Sequence, residues 1–267
     1  MESTKVPLRL AHNTPLVFPL PRFINCTEAL NIHPATASIL DDMRFLISTV
    51  LALPVTPSPK ELQKVHTTSI WIQDRILNLP DYSPVARYPS EADQETVAFA
   101  GKGVMDIGIS EADDDEISVD VQQGSAVRLP VDINTGIQWR RRDAPPAVEP
   151  PDFLYRSVRL AALMYSRAVI KRRPFSSVVA QADFLGLWTT MWRVPLTTWK
   201  GVLGVFNWAI LPIAPAASGT AHARSVKSML ATSTLQIGLD NWGLATGGME
   251  AGLRLQRWLG RETDGMT

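Results

Sequence analysis

Apolar residues recur at helical spacing over both ends of the chain and lose that rhythm in between. Behind Pro34, a residue suited to a first helical turn, Ile39, Met43, Leu46, Val50 and Leu53 follow every three or four positions until Pro54. Ser58, Pro59 and Glu61 then make an S-x-x-E capping box with proline at the first helical position. Leu62, Val65, Ile72, Ile76 and Leu79 follow, and Pro80 closes a second predicted helix. Asp152 is a good N-cap for a third, with Leu154, Val158, Ala161 and Tyr165 on one face and Pro174 as its stop. Further helices are predicted over 177–193, from Thr197 and Thr198 onward, over 223–239 and over 242–259.

Residues 1–32 carry Pro15, Pro19 and Pro21 among short apolar runs and read as an extended arm. From 81 to 151 the periodicity fails. That stretch is rich in Gly, Pro and Ser, and residues 81–120 hold 11 acidic against 2 basic residues, including the run Glu111 to Glu116. Such a composition buries too little apolar surface to offset roughly 1–2 kcal/mol of backbone entropy per residue, so a disordered acidic insert is expected. Within it, Ile117, Val119 and Val121 alternate like a strand with nothing evident to pair with. The predicted fold is therefore all-α: about seven helices, with 33–80 packing on a core at 152–260 across the insert, and a tail at 261–267.

Composition sharpens this picture. The 267 residues are 45% hydrophobic and 19% charged, enough for a real core. Net charge is zero overall, but residues 1–151 carry net −7 and residues 152–267 net +7. Lys171, Arg172 and Arg173 cluster in the last turn of a helix, where cations oppose the negative end of its dipole. The lone Cys26 rules out an internal disulfide and a zinc site of several thiolates. No basic run followed by an apolar stretch and a small-residue cleavage site opens the sequence, so an intracellular protein is expected.

The 23 residues between Lys200 and Arg224 carry no Asp, Glu, Lys or Arg. Asn207, Pro212, Pro215 and His222 interrupt them, and a span needs about 20 mostly apolar residues, so no membrane segment is expected. His12, His33, His66 and His222 lack metalloprotease spacing, and no metal or cofactor is expected. The G-K-G at 101–103 and the I-G-L-D-N-W-G-L-A-T-G-G run at 237–248 lack the spacing of phosphate-binding loops, and no G-x-S-x-G elbow occurs. A carboxylate pair of Asp183 and Asp240 with His222 as base can be drawn, but the sequence gives no distance between them; no catalytic residue is assigned.

Six of the eight tryptophans lie in the final 116 residues, and Trp188 with Trp192 falls at i, i+4. Bulky aromatics in a helical domain are ordinarily core, yet aromatic-rich space between helices also suits a hydrophobic small molecule. Trp188, Trp192, Trp199, Phe206, Trp208 and Trp242 are accordingly the candidate effector or partner surface.

Three runs carry a resemblance. They are YRSVRLAALMYSRAVIKRRPFS from Tyr155, LWTTMWRVPLTTWKGVLGVFNWAILPI from Leu187 and LQIGLDNWGLATGGMEAGLRLQRWL from Leu235. Their marks are R-x-A-x-L-x-Y-x-R ending in RPFS, W-K-G-x-x-G-V-F-x-W, and the closing QRWL. Over 152–260 they resemble the C-terminal regulatory domain of fungal-specific zinc-cluster transcription factors. The resemblance implies an all-helical domain of a nuclear regulator that answers to protein partners or small effectors, including control of specialised-metabolite genes. It also implies dimerisation with itself or with a related zinc-cluster regulator. The family's six-cysteine cluster cannot be built from Cys26, so direct sequence-specific DNA binding is not expected of this chain. A cluster in sequence outside this chain is one alternative. Another is the same scaffold recruited as a small-molecule-binding protein or enzyme in a specialised-metabolite pathway, then cytoplasmic.

Overall fold

The computed structural model describes residues 9–80 and 151–261; the acidic insert, the 117–121 alternation, G-K-G and nearly all of the predicted tail lie outside the described residues. Among the described residues all regular structure is helical, with no strand. In chain order the α-helices are α1 Thr27–Leu30, α2 Pro34–Leu51, α3 Pro59–Leu77, α4 Phe153–Lys171, α5 Phe175–Val178, α6 Gln181–Met191, α7 Leu196–Gly201, α8 Leu203–Ile210, α9 Ala223–Asp240 and α10 Trp242–Leu259. Short 3₁₀ turns occupy Leu10–His12, Phe23–Cys26 and Leu211–Ile213.

Local chemistry sets the long helices. The Oγ of Ser58 accepts from the Glu61 amide at 3.3 Å while a Glu61 carboxylate oxygen accepts from the Ser58 amide at 2.7 Å, closing the capping box of α3. The Asp152 carboxylate accepts from the Tyr155 amide at 2.9 Å at the start of α4. That helix ends as Arg172 turns left-handed at φ 49°, which places its guanidinium over the Trp258 ring at 5.5 Å. Part of the basic triplet is thus a packing device.

α4 is the central helix. It buries Tyr155, Val158, Ala161, Ala162, Tyr165 and Ala168, and touches α2, α3, α6 and α8. Arg159 donates to the carbonyls of Ile76, Leu77 and Leu79, and the Tyr155 hydroxyl to that of Pro80 at 2.6 Å, so α4 satisfies the orphan carbonyls at the end of α3. Tyr165 stacks on Trp208, centroids 5.1 Å apart, meets Phe175 edge-on at 4.9 Å and donates to the Trp208 carbonyl at 3.1 Å. Burial raises the Tyr165 phenol well above its ordinary pKa.

Two helices expected to run on are broken. The stretch 177–193 divides at Val179 and Ala180, because Asp183 grips Arg167 through two bonds of 3.0 and 3.1 Å and accepts from the Ala180 amide at 3.3 Å, starting a new helix there. The stretch after Thr197 divides at Val202, whose φ of −135° leaves the helical region. The uncharged window 201–223 becomes part of α7, α8, a 3₁₀ turn and irregular turns. No helix among the described residues is long and apolar enough to cross a membrane.

The arm is packed against the helices. Arg44, 5% exposed on α2, donates to the carbonyls of Leu20, Pro21 and Thr14 and to the Asn13 side chain, and its guanidinium lies 4.6 Å from the Phe23 ring centroid. A buried cation whose donors meet a ring of acceptors fixes their mutual geometry. Gly204 on α8 permits the approach: a Cβ there would clash with the backbone carbonyls of His12 and Asn13.

Candidate hydrophobic cavity between helices α8, α9 and α10

The helices α9 and α10 are joined through Asn241 alone, and Asn241 caps α10 by accepting from the Leu244 amide at 3.0 Å. With α8 beneath and the arm at one side they border an open cavity of about 590 Å³. Its wall repeats every three or four residues along each helix: Lys227, Leu230, Ala231, Thr234, Leu235 and Ile237 on α9, and Trp242, Ala245, Gly248, Met249, Gly252, Leu253 and Gln256 on α10. Gly204, Asn207 and Leu211 form the floor, and His12, Thr14 and Leu16 come from the arm. The space exists because small residues, Ala245, Gly248 and Gly252, face one another's turns on α10. A Cβ on Gly248 would come no nearer than 3.9 Å to Val17.

Gly204, Ile237, Ala245 and Gly252 of the wall are buried and Leu230, Thr234 and Gly248 half-buried, whereas Lys227, Ala231, Leu235, Trp242, Met249 and Leu253 are exposed, Trp242 by 68%. The lining is overwhelmingly apolar and its volume falls within the roughly 300–1,000 Å³ of small-molecule sites. Its polar groups are few. Asn207 donates to the hydroxyls of Ser233 at 2.9 Å and Thr234 at 2.8 Å. The Thr14 hydroxyl accepts from the Leu16 amide at 3.4 Å, and the Thr234 hydroxyl donates to the Leu230 carbonyl at 2.8 Å.

His12 is different. It is 3% exposed, its Nε2 lies 3.3 Å from the Asp240 carboxylate, and its Nδ1 is buried without a hydrogen-bond partner among the described residues. Asp240 also receives Arg9 at 3.1 Å, tying the arm to the end of α9. Burial lowers the His12 pKa, the Asp240 charge opposes that and Arg9 reinforces it, so the imidazole is neutral at pH 7.

The six candidate aromatic residues fall into three places. Trp242 lines the large cavity. Trp188, Trp192, Trp199 and Phe206 line a second pocket of about 50 Å³ with Met191 and Val194, room for little more than a water or two. There Trp192 is 56% exposed and meets Trp188 edge-on at 5.5 Å, while Trp199 is buried and donates to the Met191 carbonyl at 3.1 Å. Trp208 is fully buried against Tyr165 and lines neither space, so it belongs to the core and not to a surface. Asp183, Asp240 and His222 do not converge as a catalytic set: Asp183 is held by Arg167, Asp240 by Arg9 and His12, and His222 packs against the rings of Phe184 and Trp188. No cluster of His, Cys, Asp and Glu suited to a metal ion occurs among the described residues.

Comparison with known proteins returns no match: no family model, no curated protein and no solved structure matches this chain. Sequence reasoning missed His12, a lone histidine in a proline-rich arm. A signal did exist for the cavity in the small residues 245, 248 and 252, which recur at helical spacing on one face.

Proposed function

We propose that this chain is a ligand-responsive regulatory domain of the type found in fungal zinc-cluster transcription factors, working without a cluster of its own, with the α8–α10 cavity as its effector site. The observation that carries the reading is the cavity of about 590 Å³ between α8, α9 and α10, lined by apolar side chains down to a buried histidine. The run from Leu235 to Leu259 that bears the family resemblance also supplies half of the lining residues. The occupant is a hydrophobic small molecule. Output passes to a protein partner, a second copy or a related regulator, and the exposed Trp192 and Leu196 offer a contact face. A nuclear location and control of specialised-metabolite genes belong to the same proposal.

The test is titration of the purified protein with 1-anilinonaphthalene-8-sulfonate, following probe emission and its displacement by uncharged hydrophobic metabolites. Saturable one-site binding that Gly248→Leu abolishes is expected. Binding unaffected by that plug would overturn the cavity assignment. Unchanged transcripts after gene deletion, alongside a blocked metabolic step, would overturn the regulatory half. They would favour the second reading, an enzyme on the same scaffold, for which the observation is the His12–Asp240 pair beside the cavity. An enzyme would return a captured metabolite altered in mass.

A further inference from the structure

We infer that Asn207 is the specificity-determining residue of this cavity, and that its Oδ1 accepts from a ligand that is largely hydrocarbon and carries one neutral hydrogen-bond donor, a hydroxyl or an N–H. The inference rests on reading the cavity as a ligand site. Asn207 stands on α8 in the floor, and its amide donates to Ser233 Oγ at 2.9 Å and to Thr234 Oγ1 at 2.8 Å. Both hydroxyls donate in turn to the Leu230 carbonyl, at 3.1 and 2.8 Å. A hydroxyl has a single hydrogen, so with those spent each can only accept from Asn207. This fixes which end of the amide is the nitrogen, commits both of its hydrogens and leaves Oδ1 as the acceptor. Oδ1 has no donor among the described residues and, unlike the His12 Nδ1, keeps accessible surface at the cavity floor.

Solvent reaches that oxygen while the cavity is open. An apolar body that displaces the solvent without replacing its hydrogen bond leaves a desolvated acceptor, whereas a ligand donor at that point restores the bond. Asn207 cannot turn away from the choice, because two hydrogen bonds pin its amide. The other polar lining groups can adapt. Lys227 is exposed and Gln256 half-buried, and their flexible stems carry the polar ends out to water, while the Thr14 hydroxyl serves as donor or acceptor. A carboxylate would set its lone pairs against those of Oδ1, and an ion pair with an exposed lysine returns little. An ammonium would surrender its hydration in an apolar space. A neutral donor avoids these penalties.

Isothermal titration calorimetry on the full chain at neutral pH compares 4-hexylphenol, its methyl ether 4-hexylanisole, and 4-hexylbenzoate. The ether keeps the oxygen and loses the donor; the benzoate replaces the donor with a negative charge that Lys227 would favour. The expected result is about tenfold tighter binding of the phenol than of either, from one net hydrogen bond, and loss of its preference over the ether in Asn207→Leu. Should that variant fold poorly, carbon-13 labelling of the asparagine side-chain carbonyls in the unaltered protein gives a second readout: the phenol, and not the ether, should shift one of them downfield. Equal affinities of phenol and ether, tightest binding of the benzoate, a preference retained in Asn207→Leu, or unmoved carbonyls would overturn the inference while leaving the cavity standing. Absence of binding by all three probes would overturn the cavity reading and this inference with it.

Discussion

The backbone carbonyl of His12 occupies the place where a Cβ on Gly204 would stand. The arm therefore reaches its seat only because α8 presents a glycine there. Gly204→Ala should lower stability by about 1–3 kcal/mol, the usual cost of overpacking, since the clashing atoms are backbone and cannot swing away. Urea unfolding would register the loss, and probe binding should weaken in the same variant because the His12 wall is displaced.

Arg44 gives a second test of the arm. Removing its guanidinium leaves the carbonyls of Thr14, Leu20 and Pro21 and the Asn13 side chain without their donor. Arg44→Met should cost about 3 kcal/mol, and Arg44→Lys should recover only part of it, since one ammonium cannot replace the planar fork. Denaturation midpoints of the two variants make the comparison.

Gly248 separates space from stability. With 3.9 Å to the nearest neighbour of an added Cβ, Gly248→Ala should stabilise α10 by about 0.5–1 kcal/mol through helix propensity. Gly248→Leu should fold and lose the probe. A thermal melt and a binding titration on each variant check the pair.

His12 supplies a pH dependence. Its pKa is lowered in the folded protein, first by burial, against Asp240 and with Arg9, so the unfolded chain binds more protons. This contribution is intact above the ordinary histidine pKa of 6.5 and is lost as pH falls through the lower folded value. Unfolding midpoints from pH 7.5 to 5 should therefore decline more steeply in the unaltered chain than in His12→Phe. Parallel curves would contradict the assignment.

Two tryptophans that look alike in sequence should behave differently. Trp208→Ala should cost about 3–5 kcal/mol, since the ring is fully buried on Tyr165. Trp242→Ala, at an exposed rim, should cost little stability and weaken probe binding. Calorimetric melts and titrations distinguish them.

The long helices were legible because their signals are local. Ser58, Asp152 and Pro34 stand where the helices begin, and the apolar spacing behind them is the face that α4 buries or covers. The breaks were not legible. No proline or glycine marks Val179, and the helix restarts at Gln181 because Asp183 finds Arg167 on another helix. The cavity was half legible: residues 245, 248 and 252 lay on one face of a predicted helix, but the wall that completes it comes from an arm more than two hundred positions earlier, as the Arg9–Asp240 contact shows. Tertiary meeting, not composition, also sorted Trp208 inward and Trp242 outward.

The latch between Arg9, His12 and Asp240 makes the first described turn a piece of the cavity wall. A chain without residues 9–32 would keep the sequence of every long helix yet lose His12, Thr14 and Leu16 from the cavity wall, and the same cut would leave the Arg44 guanidinium without its ring of acceptors.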